Sequence, residues 1–180
     1  MSNSSSLARS NPSARQVVLI TGATAGIGRT TALHLAAAGY HVIATGRRVA
    51  ELEALRREAP ANLSTAVLDV TSAASIAAAV AEVDRLTDGH GVDALVNNAG
   101  FGVVGPLTEI ADSELRRQYD TNVFGLMAVI RAFVPAMRAR GRGRIVNLSS
   151  MGGKMTIPFM GAYNSTKYAL ESLSDALRYE

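Results

Sequence analysis

Cysteine is absent from the 180-residue chain. That excludes disulfides and thiol chemistry and fits a reducing interior. Tryptophan is absent too, and aromatics make up 5% against 48% hydrophobic residues, so a core must rest on Ala, Val, Leu and Ile. The length suits one domain. No apolar run long enough to span a membrane is apparent, and "MSNSSSLARSNPSARQ" cannot supply a secretory h-region. The expectation is a disordered tail over residues 1–16, then one domain over 17–180, in a soluble cytoplasmic protein with no membrane span. Metal spacing is missing among His34, His41 and His90, so no metal site is expected. The net charge is +3, and the basic cluster "MRARGRGR" carries no interleaved aromatics. It reads as a solvated helix end and loop, and no nucleic-acid partner is expected. Lysine is scarce: of 18 basic residues only Lys154 and Lys167 are lysines.

What is present is an alternation of short β-branched runs with longer helical patterns. "QVVLI", "HVIAT", "STAVLD", "VDALVN" and "GRIVNLS" read as strands. Between them lie helical segments: one closing at Gly39, one around "VAELEALRREA", one with a stripe at Ile76, Val80, Val83 and Leu86, and a long one from about Asp112 to Arg138. A final helix begins near Ala162. This order predicts an α/β fold, a doubly wound parallel sheet of Rossmann type with strand order 3-2-1-4-5. The strands lack polar alternation, as expected of parallel strands buried on both faces. Ligands of such sheets bind beyond the carboxyl ends of the strands, where the strand order reverses.

"TGATAGIG" follows the first strand and opens a helix. Gly22 permits the tight turn, Gly26 lets backbone approach a pyrophosphate, and Gly28 allows close helix packing. The helix N-terminus then favours phosphate. No Gly-Lys-Ser/Thr follows, which excludes a P-loop ATPase. After the second strand, where an NAD site usually carries a carboxylate for the ribose 2′-OH, the chain reads "ATGRR". Arg47 suits a 2′-phosphate, so NADP is expected over NAD, with Arg48 solvated.

"GAYNSTKYAL" places Tyr163 one helical turn before Lys167, on one helix face. Together with TGxxxGIG, "LDV" after strand three and "NNAG" after strand four, it makes the chain resemble the short-chain dehydrogenase/reductase family, in its one-domain, hydroxysteroid-dehydrogenase-like branch. The resemblance runs from about Val17 to Glu180 and implies an NADP-dependent oxidoreductase interconverting a secondary alcohol and a ketone. It implies cofactor contacts at Gly22, Thr24, Ala25, Gly26, Ile27, Gly28 and Arg47, at Asp69 and Val70 for the adenine, and at Asn98, Ala99 and Gly100. Asn97 would brace the sheet. Tyr163 would be the acid/base, Lys167 would hold the nicotinamide ribose, and Ser150, thirteen residues before the tyrosine, would orient the substrate oxygen. Asn122 would kink the long helix and support a water relay. The chemistry agrees: a phenol ordinarily ionises near about pH 10, and a neighbouring ammonium favours its anion. A serine hydroxyl can donate to an oxygen that gains charge.

Met151, Met155, Met160 and Phe159, between the serine and the tyrosine, suit a small-molecule substrate that is apolar, steroid- or lipid-like. The chain stops at "DALRYE" with no helix-ending residue, and family members continue with further strands, so a fragment is expected. By analogy the long and final helices could form a homodimer or homotetramer. Alternatives are a cofactor-binding regulator or scaffold without turnover, an inactive fragment of a longer reductase, and a sugar-nucleotide epimerase.

Overall fold

The computed structural model describes residues 15–180; of the tail expected over residues 1–16, only Arg15 and Gln16 lie within the described residues. Five parallel strands alternate with helices. The strands are β1 (Val17–Ile20), β2 (His41–Gly46), β3 (Leu63–Val67), β4 (Ala94–Asn97) and β5 (Arg144–Asn147). The helices are α1 (Gly26–Ala37), α2 (Val49–Glu58), α3 (Ala73–Leu86), α4 (Asp112–Tyr119), α5 (Leu126–Ala139) and α6 (Gly161–Tyr179). The sheet order is β3-β2-β1-β4-β5, as the alternation predicts.

Side-chain alternation along the central strands builds two cores. Val17 and Leu19 of β1 and Ile43 of β2 face one side, packing against Ile76 and Val83 of α3 and Val129, Ile130 and Phe133 of α5. Val18, Ile20, Val42 and Ala44 face the other, against Ala32 and Ala36 of α1 and Leu55 of α2. Both faces of β1 and β2 are covered, as a parallel sheet requires. β5 departs from that expectation: it is an edge strand, and its Val146 is half exposed.

Strand ends shift where carboxylates take over backbone groups. β3 stops at Val67, short of the expected "LD", because Asp69 Oδ1 accepts from the Thr71 N–H at 2.9 Å and the Thr71 hydroxyl at 2.7 Å. That Asx-type turn ends the strand. The long helical segment is continuous, but Asp120–Gly125 between α4 and α5 is a π-helical turn. Gly125 sits in it because an added Cβ would lie 2.8 Å from the Val70 carbonyl oxygen. Asp112–Ala139 is 28 residues long and, by length and composition, apolar enough to cross a membrane. This corrects the expectation that no apolar stretch is long enough to span a membrane. Its apolar side nevertheless belongs to the core, with Leu126, Val129, Ile130, Phe133 and Met137 all buried.

At the opposite end of the sheet from the glycine turn, Arg140 donates to the His90 and Val92 carbonyl oxygens, both at 2.6 Å. Within the basic cluster it is therefore a brace, not a solvated side chain. Asp93 Oδ2 accepts from the Val17 N–H at 2.9 Å, and His90 lies 3.1 Å from Oδ1. Burial is the largest single influence on Asp93 and favours its neutral form. The Val17 N–H, His90 and Arg142 together outweigh burial and hold the carboxyl below the usual carboxylate range. A depressed folded-state value means the stabilisation is present above the unfolded value of about 3.9 and is lost as pH falls through the folded one. Asp93→Ala is expected to cost about 1–3 kcal/mol near neutral pH, since the Val17 N–H loses its partner. It should also flatten the acid-side loss of stability, measured by urea unfolding from about pH 5 to about pH 2. Identical acid-side slopes for the two proteins would contradict this role.

Candidate active site

The first functional element is the turn after β1. Gly22 has φ +65 and Gly26 φ +53, a region in which side-chain-bearing residues are strained. A Cβ at Gly22 would lie 2.9 Å from Ala99 Cα, and one at Gly28 would collide with the Asn98 amide. Both glycines thus let this turn touch the loop after β4. Among the described residues, nothing lies within 4 Å of the position a Cβ at Gly26 would take, so its backbone suits the approach of a ligand. Helix α1 starts there with no side-chain cap and no acidic residue in its first turn. Its free N–H groups and positive dipole end suit a pyrophosphate.

Beside this turn is a cleft of about 280 Å³ at the carboxyl ends of β1–β4. Gly22, Thr24, Arg47, Asp69, Val70, Ala99 and Gly100, all expected from the sequence, line it. The Asp69 carboxyl is held below its usual range: burial works against the charge, but the Thr71 hydroxyl and N–H and the Arg47 guanidinium outweigh it. Arg48 also borders the cleft but is paired with Glu51. Asn98 turns its amide away, donating to the Thr21 and Gly22 carbonyl oxygens at 2.9 and 3.0 Å. Ala25 and Ile27 are exposed on the start of α1.

Gly46, Leu68, Phe101, Arg117 and Thr121, none of them among the expected site residues, complete the lining. The Arg117 guanidinium stacks 4.8 Å from the Phe101 ring centroid. Arg117 and Thr121 are one turn apart on the helix that also carries Asn122, and that spacing could have revealed them. A larger hollow, about 800 Å³, lies between α3 and the long helix. Of the candidate residues it contains only Val70, so the smaller cleft is the candidate site.

The second element is α6 and its neighbours. Lys167 is buried, and its Nζ donates to the Leu148 carbonyl oxygen at 2.7 Å and lies 5.6 Å from the Tyr163 ring centroid. Burial pushes the Lys167 ammonium below its ordinary pKa. Ser150 follows β5 and caps a 3-10 turn, its Oγ accepting from the Gly152 N–H at 3.1 Å. This leaves the hydroxyl hydrogen free to donate elsewhere. Asn122 sits in the π turn and donates both amide hydrogens, to the Phe101 carbonyl oxygen at 2.8 Å and the Thr166 hydroxyl at 3.1 Å. Its Oδ1 accepts from the Phe101 N–H at 3.1 Å. The Thr166 hydroxyl donates in turn to the Tyr163 carbonyl oxygen at 2.7 Å. Asn122 therefore ties the loop after β4 to the tyrosine's own helix. Asn97 donates to Asn147 Oδ1 at 2.9 Å, bracing β4 to β5. Among the described residues, no group of His, Asp and Glu side chains could hold a metal ion.

Comparison with known proteins matches this architecture. The family model for short chain dehydrogenase covers residues 16–180. A 3-ketodihydrosphingosine reductase of Bacteroides thetaiotaomicron is 38% identical over 165 residues, which are 92% of this chain and 58% of that protein. The 17-beta-hydroxysteroid dehydrogenase type 1 of Homo sapiens is 41% identical, covering 91% of this chain and 52% of that one. Among solved structures, an actinorhodin polyketide ketoreductase with NADPH superposes with a TM-score of 0.86 at 35% identity, over 91% of this chain and 64% of the other. The chain thus spans somewhat over half the length of the curated relatives it matches. With the glycine turn, the strand order and the matched length in agreement, the chain belongs to the short chain dehydrogenase family.

Proposed function

We propose that the chain is the cofactor-binding and catalytic part of an NADP-dependent oxidoreductase that interconverts a secondary alcohol and a ketone on an apolar, steroid- or lipid-like substrate. The observation that carries this reading is the pairing of Tyr163 with a buried Lys167, pinned by the Leu148 carbonyl, in a chain whose strand-end cleft is bordered by Arg47. Bound NADPH supplies the hydride. Gly26 and the free start of α1 hold its pyrophosphate, and Arg47 pairs with the 2′-phosphate, where a carboxylate would repel it. Asp69 keeps its charge to accept from the adenine amino group.

At the reacting end, Ser150 donates to the substrate oxygen as negative charge builds there. The Tyr163 hydroxyl gives or takes the hydroxyl proton. Lys167 holds the nicotinamide ribose and a positive charge near the phenol. Met151, Met155 and Phe159, all exposed, suit an apolar substrate with adaptable surface. The names of the relatives, a sphingosine-type reductase and a steroid dehydrogenase, point the same way. Phe124, exposed beside the groove between α3 and the long helix, offers an apolar face for a homodimer or homotetramer.

Two substitutions test the reading. Tyr163→Phe should abolish NADPH consumption with a panel of apolar ketones and leave NADPH affinity within about threefold; near-normal turnover would sink the assignment. Arg47→Ala should weaken NADPH binding by about tenfold or more and leave NADH binding unchanged, since a charge-assisted bond is worth about 1.5–3 kcal/mol. Equal discrimination in mutant and wild type would exclude Arg47 as the 2′-phosphate ligand.

A further inference from the structure

Gln118, on the last turn of α4, is a fully buried amide with no part in the chemistry assigned above. Its Oε1 accepts from the Val103 N–H, while its Nε2 has no hydrogen-bond partner among the described residues. A buried donor without a partner costs about 1–3 kcal/mol, and a methionine of similar length would avoid that penalty. Stability alone therefore does not account for an amide here.

Its surroundings supply a reason. Asn122, one turn later on the same face, grips Phe101 through both its N–H and its carbonyl. The two amides thus hold residues 101 and 103 of one loop, and Gly102 lies between them. A Cβ on Gly102 would sit 3.2 Å from Tyr163 Cδ2 and 3.4 Å from its Cγ. The Gly102 backbone is therefore a shelf against the tyrosine ring. Thr166, held by Asn122, bonds the Tyr163 backbone carbonyl oxygen. The loop thus meets the tyrosine at its ring and Thr166 meets it at its backbone, and the same stretch of the long helix fastens both. Beyond Val103 the loop is exposed at Val104, and its next backbone anchor is the bond from the Gly105 N–H to the Phe159 carbonyl oxygen at 2.8 Å.

We propose that Gln118 is a positioning residue for Tyr163: by holding the Val103 N–H it fixes the Gly102 shelf, and with it the place of the phenol. The catalytic consequence rests on the reading of Tyr163 as acid/base; the positional claim stands on the geometry alone. A misplacement of about 1 Å caused by a mutation away from the chemistry can cost about a hundredfold in rate.

The test is NMR on the full 180-residue chain with ring-13C-labelled tyrosine, the Tyr163 signal being assigned by its loss in Tyr163→Phe. Gln118→Met, which removes the acceptor at similar volume, is expected to shift the Tyr163 ring resonance. Gln118→Glu keeps an acceptor oxygen and should leave the resonance at its wild-type position. Asn62→Ala serves as the control for general destabilisation, because the Asn62 side-chain amide bonds the Ala36 and Tyr40 carbonyls at the far end of the sheet; it should not move the signal. Gly102→Ala tests the shelf directly and should shift the resonance even if Gln118→Met fails to fold. A folded Gln118→Met, or a Gly102→Ala, with an unmoved Tyr163 signal overturns the proposal. In turnover with NADPH and a ketone, Gln118→Met should lower kcat by about tenfold or more with the KM for NADPH unchanged. A wild type that binds NADPH but turns over no ketone refutes the catalytic reading above, and the ring resonance still decides the role of Gln118.

Discussion

Two loops meet at the point where the strand order reverses, and the bond between them is the constraint on which the site depends. The Thr21 hydroxyl, almost fully buried, accepts from the N–H groups of Asn98 and Ala99, both at 3.0 Å. Asn98 answers with its amide, donating to the Thr21 and Gly22 carbonyl oxygens. Four hydrogen bonds thus join the turn after β1 to the loop after β4. Each is worth about 1 kcal/mol net, and more is at stake if a buried partner is left unpaired. Gly22 and Gly28 are glycines because this contact leaves no room for a Cβ. The glycine turn, the cleft wall and the Gly102 backbone beside Tyr163 all hang from the same junction, since Gly100, Phe101 and Gly102 continue the Asn98 loop.

From that junction the site divides between two kinds of support. Backbone groups shape the proposed anion end: an uncapped helix start and glycines in left-handed conformations, with charge added at the rim by Arg47. Side-chain amides shape the proposed reacting end: Gln118 and Asn122 bind the loop, and Asn122 reaches α6 through Thr166. The π turn matters because it is where Asn122, Val123 and Gly125 are buried together. π-helical turns inserted in α-helices are frequent at functional sites, and here the turn carries the residue that couples loop to helix.

The sheet order and the placing of the motifs were legible because strand and helix patterns alternate cleanly and the glycine turn has a specific mechanism. Tyr163 and Lys167 stood out in the sequence through their spacing and the scarcity of lysine, and Ser150 through the family resemblance. Other features depend on contacts between residues far apart in the chain. Asp69 and Asp93 displace strand ends by bonding backbone groups, which an apolar run does not reveal. Arg140 looks like one more exposed arginine until its two carbonyl partners, about fifty residues away, are in view. Gln118 sits in a strongly polar stretch, "DSELRRQY", where nothing local marks one amide as buried. Asn98 matched its family position, yet its amide serves the fold, and the cleft is left to its neighbours Ala99 and Gly100.

The central claim is that the glycine turn and Arg47 form an NADP site in this chain. It is tested most directly by thermal unfolding of the 180-residue protein titrated with NADPH and, in parallel, NADH. A ligand that binds only the folded state adds about 2.7 kcal/mol at a hundredfold excess over its Kd. The account predicts one cooperative transition that moves upward with NADPH and much less with NADH. Equal shifts with the two cofactors, or a cooperative transition that neither one moves, would contradict it.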